Sequence, residues 1–113
     1  MAAVISTFEA KTKLKGGHNG LAKGKGKPSK VRITGSGFVK GSDVIVTDPA
    51  GATSPTHVWK GTVPQDSSDF TTEVVQQAST AGAGGGNDTA VTVSVTVDDS
   101  AAKNADTFAG VPS

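Results

Sequence analysis

Seven lysines lie within residues 11–30 of this chain: Lys11, Lys13, Lys15, Lys23, Lys25, Lys27 and Lys30. No acidic residue stands among them. Their chemistry is that of clustered positive charge, which attracts an acidic protein surface or a phosphate backbone. The glycines between them invite comparison with a phosphate-cradling loop. That signature needs Gly, four residues, then Gly-Lys and a hydroxyl. No glycine in the run has that continuation, and Pro28 follows Lys27 where the hydroxyl should stand. Gly35, Gly37 and Gly41 likewise miss the dinucleotide spacing, because the third glycine falls one residue late.

Other reactive residue types are sparse. His18 and His57 are the two histidines, and there is no cysteine. A nucleophilic triad needs a base held close to its nucleophile, and His18 lies in the glycine-rich run. His57 stands two residues from Trp59 and is read as a surface or packing residue. Thiolate metal sites and disulfides are excluded, and two histidines with no His-x-x-x-His pairing do not make a zinc site. Asn87, Asp88, Asp98 and Asp99 offer oxygen ligands, but they bracket one strand and fall at its opposite ends. Asn87-Asp88-Thr89 matches a glycosylation acceptor, read as chance without a signal peptide. No enzyme activity, cofactor or metal is expected.

The element that must organise these residues is the run Ala90-Val91-Thr92-Val93-Ser94-Val95-Thr96-Val97. Valine at every second position makes one apolar and one polar face of a β-strand. Val91, Val93, Val95 and Val97 are expected to face the core, and Thr92, Ser94 and Thr96 to face away. Further strands are predicted near residues 4–8, 30–35, 42–47, 56–63, 70–77 and 105–109. Gly35-Ser36-Gly37 reads as a tight bend, and Asp48-Pro49-Ala50-Gly51 and residues 64–69 read as turns. Residues 11–15 suit an edge strand protected by lysine. Residues 16–30 suit no regular element, and residues 78–87 suit a flexible hairpin tip. Helical periodicity is absent. The expected fold is an all-β antiparallel sandwich of about seven strands in one domain, residues 1–113.

The net charge of +1 conceals an asymmetry. Residues 1–40 carry nine basic residues against Glu9, and residues 41–113 carry Lys60 and Lys103 against nine acids. Such a layout suits docking onto an acidic surface, or head-to-tail contact between copies. One Trp, four Phe and no Tyr imply a thin core, and Trp59 is read as its inter-sheet aromatic, with an exposed interface anchor as the alternative. No aromatic is interleaved with the lysines to stack bases, which argues against nucleic acid. The start of the chain lacks a signal peptide's basic head and apolar run, and no segment reaches membrane-spanning length. The expectation is a protein made in the cytoplasm, not secreted and not in a membrane.

The segment Val31-Arg32-Ile33-Thr34-Gly35-Ser36-Gly37-Phe38 resembles the second-strand signature of IPT/TIG immunoglobulin-like domains. Residues 4–8 stand where that family has its opening strand, and residues 42–47 supply the strand after the signature. The valine strand and Ala105-Asp106-Thr107-Phe108 resemble its close. The longer, basic Gly/Lys loop and the missing proline after the first strand depart from the pattern. The resemblance implies a structural and binding module with no catalytic residues. A free-standing, cysteine-free copy with a charged arm resembles the small immunoglobulin-like proteins that decorate tailed-phage capsids. The implied function is a virion structural protein that binds the outer surface of the major capsid protein lattice through the arm at residues 11–30. Two alternatives stand beside it: a binding module for glycans or cell surfaces, and a basic-arm nucleic-acid-binding protein. The sandwich alone does not decide between them. If the arm is ordered at all, a partner is expected to order it.

Overall fold

The computed structural model describes residues 3–13, 19–22, 24–79, 90–98 and 100–108. Strands stand in each of the regions where they were expected. The elements are β1 (Val4–Ala10), β2 (Thr12–Lys13), β3 (Asn19–Gly20), β4 (Pro28–Phe38) and β5 (Asp43–Asp48). They continue with β6 (His57–Thr62), β7 (Ser67–Ser79), β8 (Ala90–Val97) and β9 (Lys103–Phe108). Among the described residues there is no helix. Seven strands form one antiparallel sheet in the order β1-β4-β7-β6-β5-β8-β9, and β2 and β3 form a separate small ribbon. The sheet curls until β1 lies against β9. β6 joins the two halves by pairing with β5 on one side and β7 on the other.

The enclosed core is built by period-two alternation, with Phe38 brought into it by the register shift after Thr34. Val31, Ile33 and Phe38 of β4, Val44 and Val46 of β5, Trp59 of β6, and Val93, Val95 and Val97 of β8 are buried. Each valine removed from water stabilises the fold by roughly 1.5–3 kcal/mol. Phe38 and Phe70 meet edge to face, with centroids 5.0 Å apart. Trp59 is 1% exposed, so the indole belongs to the core. The outer face of β8 departs from expectation at one place. Thr92 is exposed, but Ser94 is only 8% exposed. Ser94 is a small side chain on a strand flanked on both sides, with Thr47 opposite it on β5. The Val91 side chain lies outside the described residues.

Two local expectations are corrected. Gly35-Ser36-Gly37 is not a turn between strands. It lies inside β4, where the ladder to β7 shifts between Thr34 and Phe38. Gly35 is required there by close approach, since a Cβ at this position would meet the Val4 carbonyl oxygen of β1 at 1.8 Å. Residues 16–30 do hold regular structure, namely β3 and the start of β4. The hairpin tip expected over residues 78–87 lies outside the described residues from 80 onward.

Candidate functional site

The strand directions gather the basic residues at one end. Ala10, the last residue of β1, pairs with Val31 near the start of β4, and Pro28 pairs with Val75 near the end of β7. Lys11, Lys13, Lys25, Lys27 and Lys30 all follow from these termini. Lys15 and Lys23 lie outside the described residues, as does His18.

The segment between β3 and β4 is tied to the core rather than free. Leu21 is 1% exposed. The Trp59 indole Nε1–H donates to the Ala22 carbonyl at 2.8 Å. The Ala22 N–H donates to Oγ of buried Ser29 at 2.8 Å. Gly26 N–H donates to the Gln76 carbonyl at 2.9 Å, and Gln76 N–H returns a bond to the Lys27 carbonyl at 3.1 Å. Lys27 N–H closes the turn on the Gly24 carbonyl at 3.0 Å, with Gly26 at φ +80°. Glycine adopts that left-handed conformation at no steric cost. The expectation that only a partner would order this stretch is therefore corrected for residues 19–22 and 24–30. The core's own polar groups order it, and Lys25 and Lys27 project from a fixed turn.

Lys11 and Lys30 are held side by side, because Lys11 N–H donates to the Lys30 carbonyl at 2.7 Å. Lys13 sits opposite Asn19 in the small ribbon. A further cation reaches this end from far along the chain. Lys60 of β6 is level with Val75, which is level with Pro28 at the start of β4. Lys60 and Lys30 are both exposed between inward neighbours, so both lie on the outer face of the sheet. Nothing in the sequence around Lys60 links it to the Gly/Lys run, since that neighbourhood depends on the β4-β7-β6 order.

Arg32, next on the outer face of β4, is committed elsewhere. It grips Asp69 of β7 with two bonds, Nε to Oδ1 at 3.1 Å and a terminal nitrogen to Oδ2 at 2.6 Å. Its other terminal nitrogen is 3.8 Å from Glu9 of β1. The hydrogen bond from Arg32 holds the Asp69 carboxyl below the usual carboxylate range, and the same bond raises the guanidinium. With Glu9, this network bridges three strands and leaves Arg32 little charge to offer a partner.

No family model, curated protein or solved structure matches this chain.

The remaining titratable cluster is a packing feature. His57 is 3% exposed, its ring stacks on Trp59 with centroids 5.7 Å apart, and Nδ1 lies 3.3 Å from Oδ2 of Asp48. Of the oxygen ligands considered for calcium, Asp98 instead accepts the Asp43 N–H at 2.9 Å, capping the turn after β8. Asn87, Asp88 and Asp99 lie outside the described residues. Among the described residues, no three His, Cys, Asp or Glu side chains converge on a metal position.

Proposed function

We propose that this chain is a non-enzymatic binding module, a capsid decoration protein that seats on the outer surface of the major capsid protein lattice by its lysine-bearing end. One observation carries the reading: the turn at residues 24–27 is bonded to Gln76 on both sides and presents Lys25 and Lys27 on a fixed frame. A pre-ordered basic turn binds an acidic surface without the entropy cost of ordering a free arm. The strand order supports an immunoglobulin-like reading of the fold. Immunoglobulin domains place strands A, B, E and D in one sheet and C, F and G in the other. Here β1, β4, β7 and β6 run in the first order, and β5, β8 and β9 in the second.

The test is attachment to capsid particles. Replacing Lys23, Lys25 and Lys27 by Ser should leave the fold intact and reduce occupancy on particles. The loss should be largest at low salt, because salt screens exposed charges. Unchanged occupancy would remove the docking role. Tight, salt-sensitive binding to duplex DNA without particle binding would favour the nucleic-acid alternative.

A further inference from the structure

Beside the lysine turn, the outer face of the sheet changes character. Over β1, β4 and the first part of β7 it is polar, carrying Glu9, Arg32, Asp69 and Glu73. Over the end of β7, and over β6 and β5, it carries Val75, Val58 and Ile45 around Lys60. Each of these aliphatic residues is half-buried and lies between two buried neighbours, so each points outward. Pro28 stands opposite Val75, Val75 opposite Lys60, and Lys60 opposite Ile45, so the four form one row across four strands. Val58 precedes Lys60 by two residues on the same face. The result is an aliphatic stripe with Lys60 at its middle, and with Lys30 and the Glu73 opposite it at its side, so that Lys60 and the turn lysines Lys25 and Lys27 supply the excess positive charge.

We infer that this stripe is the second half of the attachment surface, and that its occupant is an acidic protein segment carrying aliphatic side chains. The inference rests on the docking reading above and specifies what that surface touches. Charge complementarity selects an acidic partner. The aliphatic floor selects protein over nucleic acid, because bases stack on aromatic rings rather than on valine. Phe8, Phe38, Phe70 and Trp59 are all buried and offer no such ring. A flexible lysine at the centre of an apolar row lays its methylenes along the stripe and raises its ammonium group to meet a carboxylate.

Binding of the full chain to two labelled peptides of equal length and charge tests the idea. One alternates Glu with Ser, and the other alternates Glu with Leu. At physiological salt the Glu/Leu peptide should bind about tenfold more tightly. Lys60→Ser and Val75→Thr should each reduce that preference, with tryptophan emission unchanged as the check on folding. Lys25→Ser with Lys27→Ser should weaken both peptides alike. Equal affinity for the two peptides overturns the inference, as does tighter binding of a short DNA duplex than of either. On particles the two readings separate. If the Lys60 and Val75 variants attach like wild type while the Lys25/Lys27 variant does not, the stripe proposal fails and docking by the turn stands. If the Lys25/Lys27 variant also attaches normally, the docking reading itself fails.

Discussion

The indole N–H of Trp59 donates to the carbonyl of Ala22 across 2.8 Å, joining the centre of the core to the middle of the glycine-lysine segment. A buried indole needs an acceptor, and an irregular segment laid over a core needs donors for its carbonyls. Each meets the other's need. The segment is thereby a lid on the lysine-bearing end of the sheet.

Trp59→Phe keeps an aromatic ring but removes the donor. The Ala22 carbonyl then loses its partner, and the expected cost is about 1–3 kcal/mol. Urea unfolding measures it. Amide exchange should also quicken at Gly26, whose N–H is bonded to Gln76. A loss of global stability with Gly26 protection unchanged would show that the indole bond does not hold the lid.

Gly35→Ala and Gly41→Ala separate two uses of glycine. A Cβ at Gly35 meets the Val4 carbonyl at 1.8 Å, whereas Gly41 has open space and φ +88°. The first forces β1 away from β4 and should cost at least about 1–3 kcal/mol. The second carries only left-handed strain, of about 1–2 kcal/mol. Denaturant midpoints should rank Gly35→Ala as the less stable. The opposite order would mean that β1 yields easily.

The Arg32–Asp69 pair makes stability depend on pH in a stated direction. Asp69 titrates lower in the folded state than in the unfolded chain. Its contribution is present above the unfolded carboxylate value and is lost as pH falls through the folded one. Wild type should therefore exceed Asp69→Asn in stability at neutral pH, and the gap should close in acid and narrow in high salt. Thermal melts of both proteins across pH check this, and a gap that persists in strong acid would assign the effect elsewhere.

Tolerance along β8 should follow burial rather than residue polarity. Val95 is fully buried, Ser94 nearly so, and Thr92 exposed. Val95→Asp should unfold the domain, because an unpaired charge would enter the core. Thr92→Val should be mild, and Ser94→Val should fall between them. Expression and melting temperature of the three variants give the order directly.

Much of the fold was legible in the sequence. Valine at every second residue of β8 is a local pattern with a local cause, the opposed side chains of a strand, and it placed Val93, Val95 and Val97 inside. The same rule placed Val31, Ile33 and Trp59. The cluster of lysines was also legible as charge. What tertiary structure alone decided is how those lysines are held and which others join them. Leu21, Ala22 and Ser29 carry no periodic signal, and their bonds reach Trp59 and each other through the folded core. Lys60 joins Lys30 only because β7 inserts between β4 and β6, a pairing between segments distant in the chain. Ser94 is nearly buried on a strand that β5 and β9 flank on both sides. Side-chain alternation is a property of a single strand. Which strand lies next to which is set by the burial of all of them together, and the lysine-bearing surface is a product of that second choice.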